Sequence, residues 1–149
     1  MVWAGRNVQV YLFSYWAAHA AIYHFLDKNR ELREHKLSGV YHHFVQNEHD
    51  ELLRGFDPVF NAPQSRFGEI SMLDYASIPG LNVLAKSDEG GAYIVASEDK
   101  RMVFVTGHPE YDPESLKQEY QRDLLINNEP QIPVNYFIDD DPNKDPIVS

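Results

Sequence analysis

Cysteine is absent from this sequence. Disulfide bonds, thiolate metal sites and cysteine nucleophiles are therefore excluded for the chain as written. No apolar run approaches the roughly 20 residues that a membrane-spanning helix needs. The first residues, with Arg6 and Asn7 early, do not form a signal-peptide pattern. These absences predict a cytoplasmic protein with no membrane partner.

Positive charge is also scarce, since 13 Lys and Arg stand against 23 Asp and Glu and give a net charge of −10. Nucleic-acid phosphates repel such a chain and no basic patch is visible, so we expect no nucleic-acid partner. Apolar residues make up 43% of the 149 residues, which is enough for the core of one domain. The four prolines and the acidic residues near the end predict an extended acidic tail over residues 127–149.

The strongest chemical pattern surrounds His108. Residues 102–106 form a continuous β-branched and aromatic run that is typical of a strand covered on both faces. His108 and Glu110 follow it, and Asp112 then suits the N-cap of a helix over residues 113–126. An imidazole and a carboxylate at the carboxyl end of a buried strand lie where open α/β sheets place catalytic groups. They are candidates for an acid–base pair.

A second strand and helix lie near the start of the chain. Residues 8–13 predict a buried strand, and residues 17–26 predict a helix with many small residues. A strand, a tight turn and a helix are typical of a nucleophile elbow, which exposes the residue at the turn. Tyr15 occupies that turn.

The middle of the chain predicts an antiparallel ladder. Strands are expected at residues 36–45, 81–86 and 92–97, and the acidic and glycine residues at 88–91 are typical of a hairpin turn. Residues 57–67 contain two prolines and predict a loop.

Several histidines lie close together in the sequence, at positions 42, 43 and 49, near Glu48. Neighbouring strand residues point to opposite faces, and the spacing fixes no third ligand. We therefore expect these residues to be ordinary polar residues and the chain to hold no metal.

Several motifs together resemble the homoserine O-acyltransferase family, the succinyl- or acetyl-transferring enzymes of methionine biosynthesis. They occur in family order and spacing at residues 36–41, 62–67, 107–112, 120–123 and 134–137. The resemblance extends from about Trp3 to about Pro146. It implies an α/β fold similar to the class I glutamine amidotransferases (flavodoxin-like), here part of a parallel sheet with an antiparallel strand extension.

The resemblance also implies roles for individual residues. His108 matches the catalytic base, and Glu110 matches the carboxylate that orients it. Ser65 and Arg122 match positions that hold the amino-acid substrate, and Lys36 matches a position on the acyl-donor side. The implied reaction transfers an acyl group from acyl-CoA, as co-substrate, to L-homoserine without a further cofactor.

Some positions depart from the family. The family's cysteine nucleophile aligns with Tyr15, its glutamine with His19 and a usual histidine with Gln64, while Arg66 is a weaker match. A phenol has a pKa of about 10, stays protonated and fills the space of a tetrahedral intermediate. Tyr15 is therefore not expected to be a competent nucleophile, which suggests a pseudoenzyme.

The family also carries a half-domain before this region. The sequence therefore predicts a single partial acyltransferase domain over residues 1–149, inactive or impaired by itself.

Two other functions stay open. One is a non-catalytic module that assembles with a separate amino-terminal half, a full-length relative or another copy of itself, because an uncovered side of the sheet calls for a partner. The other is amidotransferase or peptidase chemistry, which also depends on the absent elbow cysteine.

Overall fold

The computed structural model describes residues 7–126 and 129–147. Its elements, in chain order, are β1 (Tyr11–Ser14), α1 (Trp16–Leu26), β2 (Glu31–Val45), a 3₁₀ turn (Glu51–Leu53), β3 (Val59–Glu69), α2 (Met72–Ser77), β4 (Leu81–Ser87), β5 (Gly91–Ser97), β6 (Met102–Val105), α3 (Ser115–Leu125) and a 3₁₀ turn (Ile138–Asp140). No helix among these described residues is long and apolar enough to cross a bilayer. Residues 1–6, which entered the signal-peptide prediction, lie outside the described part.

One six-stranded sheet organises the fold, with the strand order β1-β6-β5-β4-β2-β3. β1 and β6 pair in parallel, whereas the other neighbours pair antiparallel. The predicted α/β class, a parallel part with an antiparallel extension, is confirmed. The hairpin predicted at residues 88–91 joins β4 to β5, and β5 then pairs with β6 just before His108.

Helix α1 packs closely on one face of the sheet. Ala18, Ala21 and Ile22 are fully buried and belong to one core cluster with Val95 and Phe104. The small alanine side chains let the helix approach the strands. This packing places the start of α1 directly beside the ends of β1 and β6.

The opposite face of the sheet carries a second cluster, formed by Leu53, Ala62, Leu84, Ala85, Tyr93, Ile94 and Ala96. Strand residues alternate between the faces, so Val95 belongs to the first cluster while its neighbours belong to the second. In β6, Phe104 is fully buried in the first cluster, and Val103 and Val105 are partly buried against the second. The strand before His108 therefore has apolar packing on both faces.

The predicted loop over residues 57–67 is wrong, because most of that segment belongs to β3. Pro63 is tolerated because, among the described strands, β3 ends the sheet and has β2 as its one neighbour. Val40, opposite Pro63, donates its backbone N–H to Val134 (2.9 Å), and its carbonyl accepts from the Asn135 side chain (3.3 Å). The missing proline N–H therefore leaves no group of Val40 unpaired.

Two further elements differ from the prediction. The strand predicted at residues 36–45 begins earlier, because residues 31–35 extend β2 at its start. The short helix α2 was not predicted, and its N-cap is Ser71, whose side chain accepts from the backbone of Asp74 (3.0 Å). A helix of only six residues presents too little periodicity to be identified from the pattern alone.

The segment after α3 packs beside β2. Val134 bridges to Gly39, whose φ is +151° and where an added Cβ would overlap the Val134 carbonyl. Tyr136 and Phe137 are buried beside Leu116 of α3. Residues 127–128 and 148–149 of the predicted tail lie outside the described residues.

Candidate active site

Tyr15 occupies the turn between β1 and α1. Its backbone has φ +49° and ψ −121°, a conformation that is rare for a residue other than glycine and is concentrated at functional sites. The Tyr15 N–H donates to the carbonyl of Val105 (2.7 Å), which fixes the turn at the end of β6. A strand, a strained turn and a helix in this order have the form of a nucleophile elbow.

A second turn, after β6, places His108. The backbone N–H of Thr106 donates to Tyr93 (2.9 Å), and that of His108 donates to Pro63 (3.2 Å). Gly107 lies between them, and an added Cβ there would overlap the ring of Tyr93. Only glycine fits this close approach, so His108 is held between β5 and the open edge of β3.

His108 and Glu110 form the predicted pair. The His108 Nδ1 lies 2.6 Å from Glu110 Oε1, and a neutral or charged imidazole donates to a carboxylate there. His108 Nε2 lies 3.3 Å from the carbonyl of Ser65. The His108 side chain is only 6% exposed, whereas the Glu110 side chain is 60% exposed. Glu110 thus orients the ring from the solvent side.

Two tyrosines contact the His108 ring. The ring centroids of Tyr15 and His108 are 4.0 Å apart with an interplanar angle of 39°, and Tyr111 stacks at 4.0 Å and 22°. The Tyr111 hydroxyl donates to Glu119. Burial, with this carboxylate beside it, raises the pKa of Tyr111, so the hydroxyl remains a donor.

Lys36 and Ser65 meet at a shared carboxylate. Glu119 accepts from Ser65 Oγ (2.5 Å) and from Lys36 Nζ (3.0 Å), and Lys36 also donates to Asp123 (3.0 Å). Burial alone would raise the pKa of Glu119, but the hydrogen bonds from Ser65, Tyr111 and Lys36 outweigh it and hold the pKa below its usual value. Glu119 is therefore a carboxylate that ties β2, β3 and α3 together.

Arg122 lies at the outside of this cluster. Its side chain is 63% exposed and donates to Asp123 (3.3 Å). Much of the guanidinium is therefore free to meet a carboxylate from solvent.

Glu119, Asp123 and Tyr111 were missed by the sequence reasoning. The sequence carried one signal for the two carboxylates, because Glu119 and Asp123 are four residues apart and so lie on one face of α3. That face contacts Lys36, which belongs to the 36–41 motif.

Gln64 and Arg66 brace the strand behind the site. Gln64 is fully buried, its Nε2 lies 2.8 Å from His43 Nε2, and its Oε1 accepts from Arg66 (2.9 Å). Arg66 also donates to the backbone of Gly68 (3.1 Å) and to that of Gly90. Arg66 is itself buried, so its guanidinium holds β3 to the β4–β5 turn and is not presented to a substrate.

The neighbouring histidines do not act together. His43 is fully buried and His42 is exposed, which confirms that they point to opposite faces of β2. Burial lowers the pKa of His43 to about 4. Across residues 7–126 and 129–147, no three His, Asp or Glu side chains are grouped so as to hold a metal ion.

Comparison with known proteins identifies similar sequences. The profile of a family described as "Homoserine O-succinyltransferase" matches residues 1–149. A homoserine O-succinyltransferase of Pseudoalteromonas atlantica is 65% identical over 147 residues, which cover 99% of this chain and 48% of that protein. One of Alteromonas mediterranea is 62% identical, over 98% of this chain and 47% of its own length. The chain thus spans about half the length of these relatives, in their carboxyl-terminal portion.

Solved structures share the fold at low identity. A glutamine amidotransferase from Thermotoga maritima aligns with a TM-score of 0.65 and 11% identity, over 86% of this chain and 54% of its own. The glutaminase domain of Trypanosoma brucei CTPS aligns with a TM-score of 0.56 and 12% identity, over 86% and 63%. The fold is thus of the glutamine amidotransferase type.

Proposed function

Since the chain belongs to the homoserine O-succinyltransferase family, we propose that it is a homoserine O-acyltransferase homologue that keeps the acid–base pair and lacks the nucleophile. The proposed ligands are acyl-CoA and L-homoserine. The proposed setting is methionine biosynthesis in the cytoplasm.

Acyl transfer through a covalent enzyme needs a nucleophile and a base in contact. The nucleophile attacks the thioester carbonyl, and the base takes its proton and returns it to the departing CoA thiolate. The base then takes the proton of the acceptor hydroxyl as that oxygen attacks the acyl-enzyme. His108, oriented by Glu110 at 2.6 Å, has the geometry for the base.

The contact between Tyr15 and His108 carries the proposal. Tyr15 keeps the elbow backbone, yet its ring lies 4.0 Å from that of His108 and fills the space in front of the base. A free phenol, with a pKa of about 10, is a poor nucleophile near neutral pH. We therefore propose that the chain forms no acyl-enzyme.

Substrate binding follows from the polar cluster. The exposed guanidinium of Arg122 suits the carboxylate of homoserine, and a bidentate pair would fix its orientation. Ser65 and Lys36 are both engaged by Glu119 in this structure, so a ligand that reaches them exchanges with these hydrogen bonds.

An acyl-transfer assay tests this proposal. The chain and a Tyr15→Cys variant are incubated with succinyl-CoA and L-homoserine, and free CoA is followed together with the intact mass of the protein. The unmodified chain is expected to release no CoA above the uncatalysed rate, and Tyr15→Cys is expected to gain the mass of a succinyl group. Turnover by the unmodified chain would refute the proposal that the chain lacks a nucleophile. A Tyr15→Cys, His108→Gln double variant that acylates equally fast would refute the role of His108.

A non-catalytic assembly module is the second candidate. The observation in its favour is that β1 ends the sheet among residues 7–126 and 129–147, and that its Leu12 is 69% exposed. Size exclusion with light scattering, on the chain alone and on its mixture with a relative of the family, distinguishes the assembly module from the acyltransferase homologue. A chain that stays monomeric in both samples argues against the module.

A further inference from the structure

The plane of the His108 imidazole is not fixed by its hydrogen bonds alone. Nδ1 lies 2.6 Å from Glu110 Oε1, and the Glu110 side chain is 60% exposed. In the neutral ring Nδ1 carries the proton that Glu110 accepts, so Nε2 has none to donate to the Ser65 carbonyl, which lies 3.3 Å away. A single hydrogen bond to an exposed side chain lets the ring tilt about it, so a further contact has to hold the imidazole.

The ring of Tyr111 supplies such a contact. It stacks on the His108 ring with centroids 4.0 Å apart and planes at 22°. The Tyr111 hydroxyl donates to Glu119, which also accepts from Ser65 Oγ (2.5 Å) and from Lys36 Nζ (3.0 Å). Tyr111 therefore connects the imidazole to the carboxylate at the centre of the polar cluster.

Tyr111 has space beside it into which its ring can move. It lines a cavity of about 220 Å³, whose other walls include Pro63, Leu116 and Tyr136. An apolar cavity of roughly 150 Å³ holds a benzene molecule, so a cavity of this size admits a displaced phenol ring. The hydrogen bond from the hydroxyl to Glu119 is the polar contact that opposes this displacement.

We propose that Tyr111 is a positioning residue, which holds His108 through its hydrogen bond to Glu119 and transmits changes at Ser65 and Lys36 to the base. The inference deepens the proposed function and rests on it, because L-homoserine is the ligand expected to exchange with the hydrogen bonds that Ser65 and Lys36 make to Glu119. Once both donors bind the ligand, the Tyr111 hydroxyl is the remaining donor to Glu119 among the described residues, and the ring follows the carboxylate. The orientation of the imidazole then depends on whether the amino-acid site is filled.

Nuclear magnetic resonance of the His108 ring tests the anchoring. Tyr111→Phe keeps the aromatic ring and removes the hydroxyl, so a role in packing alone predicts unchanged imidazole signals. We expect these signals to shift. Tyr41→Phe is the matched control, because Tyr41 is 4% exposed and its hydroxyl donates to the Ser38 carbonyl (3.3 Å). The control should leave the His108 signals in place.

The chemical step gives a second measurement. In the Tyr15→Cys background, adding Tyr111→Phe is expected to lower the rate of acylation by succinyl-CoA by about tenfold, because a misplaced base slows proton transfer. The succinyl-CoA concentration that gives half the maximal rate should stay the same, since the substitution does not act on binding of the acyl donor. Tyr41→Phe in the same background should change neither value.

Titration of the unmodified chain with L-homoserine keeps the test decisive if Tyr111→Phe does not fold. The Ser65 amide and the rings of Tyr111 and His108 are expected to shift with one midpoint. A shift at Ser65 without a shift at both rings overturns the proposal. Imidazole signals that Tyr111→Phe leaves unchanged also overturn it, as do equal effects of Tyr111→Phe and Tyr41→Phe. If no signal moves on titration, homoserine is not a ligand and the proposed function fails, whereas the anchoring of His108 is decided by the Tyr111→Phe spectra.

Discussion

The ring of Tyr15 rests against the imidazole of His108, with centroids 4.0 Å apart and planes at 39°. The backbone under that ring keeps the positive φ of an elbow. The main-chain geometry of an elbow turn is thus combined with a side chain that lies against the His108 ring. Replacing the side chain alone is therefore an informative change.

Tyr15→Cys is expected to create a reactive thiol. The chain has no other cysteine, so the new thiol is the only one that reacts. Its contact with the His108–Glu110 pair and its place at the start of α1 should lower its pKa below the usual value of about 8.5. The measurement is the rate of reaction with a disulfide reagent as a function of pH.

Ser14→Cys is the matched control, one residue earlier in the chain. Because consecutive strand side chains point to opposite faces, this thiol should titrate as an ordinary one. Identical pH profiles for the two variants would contradict the elbow interpretation.

Lys36→Met is expected to destabilise the fold by about 1–3 kcal/mol, because it removes the ammonium group that Glu119 and Asp123 share and leaves Asp123 only its contact with the exposed Arg122. The folded-state pKa of Glu119 is lowered, so its contribution is present above the unfolded value of 4.5 and is lost as the pH falls through the folded one. The difference in the free energy of unfolding between Lys36→Met and the unmodified chain should therefore be smaller below pH 4.5 than above it.

Urea unfolding at several pH values measures this difference. Lys28→Met is the control, since the Lys28–Asp74 pair is about one-third exposed and worth about 0–1 kcal/mol. Equal losses in the two variants would show that the Lys36 cluster adds no special stability.

His19→Gln is expected to reduce acid sensitivity. Burial, aided by Arg66 and Arg30, lowers the pKa of His19 from 6.5 to about 4. Between these values the unfolded chain binds the extra proton, so the free energy of unfolding falls as the pH drops from 6.5 towards 4. Removing His19 should reduce this decrease in the free energy of unfolding by up to about 3 kcal/mol.

The measurement is denaturant unfolding at pH 7.5 and pH 4.5, with His35→Gln, at an exposed position, as control. A His19→Gln variant whose stability drops as much as that of the unmodified chain would show that another group governs the acid response.

Gly39→Ala is expected to displace the segment around Val134, which packs beside β2. The φ of +151° disfavours alanine, and the added Cβ overlaps the Val134 carbonyl. Faster hydrogen exchange and proteolysis are predicted at residues 130–147, with β4 and β5 unaffected. Asn82→Ala, at an exposed position of β4, should change neither. Unchanged exchange at Val134 in Gly39→Ala would contradict this role of the glycine.

Features with strong local signals were predictable from the sequence. The β4–β5 hairpin, helix α1 and the His108–Glu110 pair each follow from residues close together in the chain. β3 was not predictable, because Pro63 is tolerated only at a sheet edge and the edge is a property of the assembled sheet.

The polar cluster shows the same limit. The family motifs indicated Lys36 and Ser65, but not that both bind Glu119. That contact requires β2, β3 and α3 to meet, which no local pattern specifies.

The parallel pair β1–β6 joins Tyr11 to Met102, about ninety residues apart in the sequence. Hairpin pairings such as β4–β5 close short loops, and we expect them to form before such a contact in folding, since closing a long loop costs more chain entropy. We therefore expect the turn that carries His108 to form before Tyr15 docks beside it. A slow β1 docking step would then delay the crevice while most of the sheet had already reached its final form.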